Sequence, residues 1–264
     1  MSSGYPIDYI EPVFRPPSEA HSLILPITNG CSWNKCTFCE MYTQPQKRFR
    51  ARDENTVLEE IRHSGEQLIV QRVFLADGDA MVLPTHRLLT ILRAIEEHMP
   101  EVSRVSSYCL PRNLRKKSVE ELKELADAGL KMVYVGAESG DDEVLARVNK
   151  GETFESTLSA LEKLGAAGIT RSVMILNGLG GKRFSQQHAD NSARLMNAAQ
   201  PEFLSTLVVS FPGGDGRLRQ GFADFVPLDQ HSLFTEIERM LQALELHDTV
   251  FRSDHASNYL VLKG

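Results

Sequence analysis

The 264-residue sequence contains no apolar run near the roughly 18 residues that cross a bilayer. Its first residues include Asp8, Glu11, Pro12, Pro16 and Pro17 and lack a hydrophobic signal core. Positive charge is not in surplus. The 29 Lys and Arg stand against 35 Asp and Glu, a net charge of −6, so no global field attracts nucleic acid or anionic lipid. There is no Pro-, Ser- or Gln-biased tract, no internal repeat and no linker. Cysteine is scarce: four in a chain of this length cannot frame a disulfide scaffold. These absences lead to the expectation of a cytoplasmic protein with no membrane contact and no support for a nucleic-acid partner.

What is present is an ordinary globular composition, 42% hydrophobic and 24% charged. The Pro-rich residues 1–20 read as an N-terminal arm, and residues 21–264 as a single core domain ending in a closing segment. Apolar runs at 23–28, 72–76, 104–109, 132–136, 171–176 and 204–210 read as strands. They alternate with amphipathic stretches at 55–65, 85–98, 118–128, 141–148, 154–167, 184–199 and 232–246 that read as helices. Ser118 with Glu121 makes a capping box, and Gly65, Gly129 and Gly168 sit where left-handed helix ends belong. Alternation of this kind gives an α/β fold with a parallel sheet, and six such units make a partial (β/α)6 TIM-like barrel. In such barrels the working residues lie on loops leaving the C-terminal ends of the strands, here 29–42, 77–83, 110–117, 137–140, 177–182 and 211–229.

The first of those loops reads Gly30-Cys31-Ser32-Trp33-Asn34-Lys35-Cys36-Thr37-Phe38-Cys39. Disulfide pairing within it would strand an odd thiol, so the crowding points to metal ligation in a reducing compartment. Three thiolates on one short loop suit three irons of a cubane and leave the fourth open. Structural zinc is the alternative, but zinc closes with four ligands and the remaining cysteine, Cys109, is distant; a histidine such as His21 would have to complete it. A thioredoxin-like use of Cys36 and Cys39 leaves Cys31 idle.

This loop resembles that of the radical S-adenosylmethionine (SAM) superfamily, including the aromatic Phe38 before the last cysteine. It has four residues between Cys31 and Cys36 where three are usual. The resemblance covers roughly residues 20–210 and is to the core of oxygen-independent coproporphyrinogen oxidases, Elongator-type proteins and methylthiotransferases. It implies a [4Fe-4S] cluster on Cys31, Cys36 and Cys39, with SAM as the second cofactor. Leu75-Ala76-Asp77-Gly78-Asp79-Ala80 stands where the family receives the SAM amino group, and Asp77 and Asp79 suit an ammonium. By the same resemblance Glu138, in Val135-Gly136-Ala137-Glu138-Ser139-Gly140, reaches the SAM ribose and Lys150 pairs with the SAM carboxylate. Gly178, in Asn177-Gly178-Leu179-Gly180-Gly181, lies near the adenine. Several relatives carry an acidic residue in the fifth strand where this chain has Met174, and that contact is not transferred.

Ser106 and Ser107 end the third strand, and Ser107 joins the candidate SAM contacts. Cys109 reads as an inert buried cysteine, and His247 and His255 as structural histidines. Lys47, Arg48, Arg50 and Arg52 read as a solvated face, and residues 211–229 as a lid. No residue is nominated as catalytic. The implied activity is that of an oxidoreductase or transferase-like enzyme that cleaves SAM reductively to a 5′-deoxyadenosyl radical, which takes hydrogen from an unidentified substrate. A reduced flavodoxin or ferredoxin is the implied electron donor. The alternatives are a carrier that keeps the cluster and SAM without catalysis, in the manner of a haem chaperone, and a zinc-stabilised α/β protein. With one cysteine left over, a second cluster is not expected, nor are a fused cobalamin module or an added RNA-binding domain.

Overall fold

The computed structural model describes residues 5–264, so the first four residues of the expected arm lie outside it. The chain divides into two compact units. The first holds the residues up to Asn34, Met41–Tyr134 and Ala166–Thr170; the second holds Lys35–Glu40, Val135–Gly165 and Arg171–Gly264.

In the first unit, strands β1 (Leu23–Pro26), β4 (Arg72–Ala76), β5 (Arg104–Tyr108) and the start of β6 (Leu130–Glu138) lie in that order, all parallel. The two-residue strands β2 (Thr28–Asn29) and β3 (Arg50–Ala51) pair antiparallel beside them. Helices α1 (Glu54–Gln67), α2 (Thr85–His98) and α3 (Val119–Asp127) pack in succession. β1 is buried throughout, as a parallel strand covered on both faces must be, which is why it reads as a run and not as an alternation. The described part of the N-terminal segment is tied down by polar contacts. Tyr9 donates to the Ile24 carbonyl at 2.8 Å, and the fully buried Glu19 accepts from Tyr134 at 2.6 Å and pairs with Arg104 at 2.9 Å.

The second unit continues β6 into β7 (Thr170–Asn177), β8 (Phe203–Val208), β9 (Val250–Ser253) and β10 (Leu262–Lys263), in that order. Its helices are α4 (Asp142–Arg147), α5 (Phe154–Ala166), α6 (Gly181–Ala199), the short α7 (Gly216–Arg219) and α8 (Gln230–Ala243), with α6 packed on α8. Val144, Val148, Leu179, Phe184, Leu218, Phe222 and Phe225 form one buried cluster, and Phe38 packs against it.

The structure differs from the sequence reading in several places. β9 runs parallel to β8, so one more strand follows the six read from sequence, and β10 folds back antiparallel to it. Within the closing segment, residues 256–260 are turn and bend and β10 follows them. Gly65 lies inside α1 instead of capping it, at a close approach where a Cβ would strike the His98 carbonyl. Gly129 and Gly168 are left-handed, at φ +111° and +72°, as expected. Residues 211–229 do not form an open lid: Leu218 and Phe222 are wholly buried, so the hydrophobic effect holds the segment in the core of its unit.

Phe222→Ala should therefore destabilise the protein by about 3–5 kcal/mol, since it empties a closed apolar cluster. A denaturant titration measures this, and a loss below about 1 kcal/mol contradicts the packing described.

Candidate functional site

In the first unit the β4 turn is laid against the start of the cysteine loop. Gly78 has φ +84°, and a Cβ there would stand 2.6 Å from the Gly30 carbonyl and 3.0 Å from the Cys31 nitrogen. Gly30 has φ +74°, and its own Cβ would strike the Lys47 carbonyl. Only glycine meets both demands at either position. The turn is locked by Asp77. Its carboxylate pairs with the buried Lys47 at 2.5 Å and accepts from the Tyr42 hydroxyl at 3.0 Å, while Lys47 also donates to the Ile10 carbonyl. Burial raises the Asp77 carboxyl above its ordinary value against the opposing pull of Lys47, and raises the Tyr42 phenol with the Asp77 charge adding to it.

Asp77 is thus paired with Lys47. Asp79 is the second carboxylate of the turn. It is buried, and accepts from the Ser32 hydroxyl and the Asn113 amide. Burial raises its carboxyl above the usual range, opposed by those hydrogen bonds. The Ser107 hydroxyl is buried and donates to the Leu75 carbonyl at 3.1 Å and the Tyr108 carbonyl at 3.0 Å, so it serves the sheet. The solvated-face reading fails at two of its four cations: Lys47 is buried on Asp77, and Arg52 grips Glu60 through two 2.7 Å contacts. Arg48 and Arg50 are exposed.

The second unit holds Cys36, Cys39, Phe38, Glu138, Lys150 and Gly178. Lys150 is buried and pairs with Glu138 at 3.0 Å; its ammonium lies 5.9 Å from the Phe38 ring. Burial alone would lower Lys150, but the negative charge of Glu138, Cys36 and Cys39 outweighs it and holds the ammonium above its ordinary value. Gly136 leaves the room this pair needs, because a Cβ there would overlap the Glu138 carboxylate. Glu138 itself has φ +66°, a left-handed conformation that costs a residue with a Cβ about 1–2 kcal/mol. Backbone bonds tie the cysteine segment locally: Thr37 N–H donates to Val148 at 2.9 Å, and Arg217 donates to the Cys39 carbonyl at 2.5 Å.

The strand-end turns of this unit are pinned by residues that the sequence did not single out. Ser139 shares a 2.8 Å hydrogen bond with His188 of α6, Gly140 N–H donates to Ser192 at 3.0 Å, and Asp141 accepts from Asn191 at 2.6 Å. The Gly178 N–H donates to Glu236 of α8 at 2.5 Å, and that carboxylate also accepts from Ser185 of α6 at 2.6 Å. The other His188 nitrogen stands 3.9 Å from Glu236. Through α6 the turn after Glu138 and the turn at Gly178 are held by one polar network, which fixes their spacing. No sequence signal marks His188, a polar residue within a helix.

All four cysteines are thiols, not disulfides; Cys31, Cys36 and Cys39 are partly exposed and Cys109 is buried, as read from sequence. Among the described residues no three His, Cys, Asp or Glu side chains are gathered as a ready-made metal-ion site, and no helix is long and apolar enough to cross a membrane.

Two stability tests follow. Lys150→Met should cost about 3–5 kcal/mol by leaving Glu138 buried without its counter-charge, and Lys150→Met with Glu138→Leu should recover most of that; a double variant as weak as the single contradicts the pairing. The raised Asp79 carboxyl means that the folded state holds this proton more tightly than the unfolded chain. Its contribution is therefore full below the ordinary carboxylate range and is lost as pH rises through the raised value. Asp79→Asn should flatten the fall in stability over that window, read from urea midpoints at several pH values, and an unchanged profile contradicts the burial of its charge.

Comparison with known proteins bears on family and fold. The family model of the radical SAM superfamily matches residues 25–196. The 4′-phospho-dehydrooxetanocin synthase of Priestia megaterium is 27% identical over 164 residues, which cover 56% of this chain and 22% of that protein. The tRNA-2-methylthio-N(6)-dimethylallyladenosine synthase of Treponema denticola is 26% identical over 262 residues, covering 92% of this chain and 53% of that protein. Coproporphyrinogen III oxidase from Escherichia coli, a radical SAM enzyme by its description, superposes with a TM-score of 0.61 at 17% identity over 84% of this chain and 52% of that one. The chain thus spans from about a fifth to about half of the length of these proteins. The structural likeness is one of fold, the α/β partial-barrel class with a mostly parallel sheet. From the family match over 25–196, which covers well over half of its length, the chain belongs to the radical SAM superfamily.

Proposed function

We propose that this chain is a radical SAM enzyme that works as one catalytic core, with Cys31, Cys36 and Cys39 as the ligands of a [4Fe-4S] cluster. The observation that carries this reading is the cysteine loop itself: three partly exposed thiols directly after β1, with the Gly78 turn laid against Cys31. The donor set fits the group. Thiolates are the ligands such clusters take, and three leave one iron open. The buried Lys150 ammonium stands near them, its charge held in part by Cys36 and Cys39. When bound and reduced, the cluster supplies the electron that splits SAM into methionine and a 5′-deoxyadenosyl radical, which takes hydrogen from the substrate.

The chain's own residues then divide the work of holding SAM. Asp79 is the carboxylate offered to the amino group, with Gly78 letting the backbone approach. Glu138 takes the ribose hydroxyls and Lys150 the carboxylate, and their mutual pairing holds the two side chains in place. Gly178, pinned by Glu236, shapes the turn beside the adenine, and Ser107 and Phe38 are the remaining candidate SAM contacts. His188 acts as a positioning residue through Ser139. The electron donor is a reduced flavodoxin or ferredoxin, and the setting is the cytoplasm.

Cys36→Ala, reconstituted anaerobically with iron and sulfide, should keep the fold by circular dichroism yet lose both the visible cluster absorbance and SAM cleavage. An intact cluster spectrum in that variant contradicts the ligand assignment.

A further inference from the structure

In the first unit, residues 8–14 of the arm form neither helix nor strand, and none of them is fully buried. Hydrophobic burial alone does not account for their course, yet the segment is fixed at both ends. Upstream, the Asp8 N–H donates at 3.2 Å to Glu60, the carboxylate that Arg52 grips, and Tyr9 donates to the Ile24 carbonyl at 2.8 Å. Downstream, Glu19 is held by Tyr134 and Arg104.

Between those anchors the arm turns to the pair formed by Asp77 and Lys47. The Ile10 carbonyl accepts from the Lys47 ammonium. The Phe14 N–H, by hydrogen bonding, favours the charged form of the Asp77 carboxylate. The Phe14 ring stands edge-on to Tyr42, with centroids 5.4 Å apart and planes at 79°, and Tyr42 in turn donates its hydroxyl to Asp77 at 3.0 Å. From the other side Gln46, the neighbour of Lys47, donates to the Glu11 carbonyl at 3.2 Å. Asp8, Ile10 and Val13 share the wall of one narrow cavity with Lys47 and Asp77.

A buried ion pair holds well only where its remaining donors and acceptors are met. Here the arm meets them on the side away from Tyr42. Loosening the arm leaves both charges in place, removes bonds that match them and admits water beside them. The β4 turn that the pair locks against Gly30 and Cys31 then loses its support.

We propose that residues 8–14 are a strap that positions the end of the site receiving the SAM amino group, with Phe14 and Gln46 as its positioning residues. What is positioned rests on the radical SAM reading; the hold of the strap on the β4 turn does not. Gly78 and Asp79 follow Asp77 directly, so a loosened strap displaces the groups assigned to SAM while the three cysteines keep their places in the sequence.

The test compares the full chain with Phe14→Ala/Gln46→Ala, which takes the ring and the amide from the strap and leaves Asp77, Lys47 and Tyr42 intact. Phe14 is half-buried and Gln46 exposed; Gln46→Ala alone is the milder second variant. Without iron or SAM, amide hydrogen exchange at residues 77–80 should be about tenfold faster in the double variant, with exchange in β5 unchanged. After reconstitution, the apparent KM for SAM in 5′-deoxyadenosine formation should rise about tenfold, with iron content and kcat kept. Phe14→Tyr, which keeps the ring, should behave as the parent chain in both measurements. Unchanged exchange at 77–80 overturns the strap, and exchange that is faster in β5 as well overturns it in favour of a merely structural arm. Faster exchange at 77–80 with an unchanged KM overturns the role in positioning SAM. A parent chain that leaves SAM intact defeats the radical SAM reading, and the exchange measurement still decides whether the strap holds the turn.

Discussion

The contact between two glycine turns in the first unit sets what the rest of the site can do. Gly78 and the Gly30–Cys31 backbone approach closer than any side chain would permit, and the buried ion pair of Lys47 with Asp77 holds them there. Burying two charges is costly, and such pairs give little net stability unless hydrogen bonds complete them. Here Tyr42 and the Ile10 carbonyl complete them. The gain is in register: the β4 turn is fixed against the loop that carries the first cysteine, and Asp79, one residue beyond Gly78, is held by Ser32 and Asn113.

The second unit reaches the same end by other means. Its two strand-end turns are tied to α6 and α8 through Ser139, His188, Ser192, Ser185 and Glu236. The strain stored at Glu138, with its left-handed backbone, is sustained by this anchoring and by the pairing with Lys150. In both units charged side chains are taken out of water and matched by partners, Asp77 with Lys47 and Glu138 with Lys150.

Much of this was legible in the sequence because the signals are local. Helix α2 and strand β4 begin and end where periodicity places them, and the Ser118–Glu121 box is a short-range pattern. The cysteine loop announces itself by spacing. What escaped depends on partners far along the chain. Lys47 and Arg52 look like members of a solvated run until Asp77 and Glu60 are brought to them. His188 is a polar residue in a helix until the turn after β6 is laid on it. Residues 211–229, rich in glycine, read as a lid, and the packing of Leu218, Phe222 and Phe225 into the core depends on partners far along the chain. The strand β9 is four residues long, too short for its alternation to stand out.

The central claim is that the loop from Gly30 to Cys39 carries a cluster that cleaves SAM. The most direct measurement is anaerobic reconstitution of the full chain with iron and sulfide, an iron count, and then reduction by dithionite with SAM present, followed by chromatography for 5′-deoxyadenosine. The account predicts about four irons per chain and release of 5′-deoxyadenosine and methionine. Iron bound with SAM left intact contradicts the cleavage, and a chain that takes up only zinc contradicts the claim as a whole.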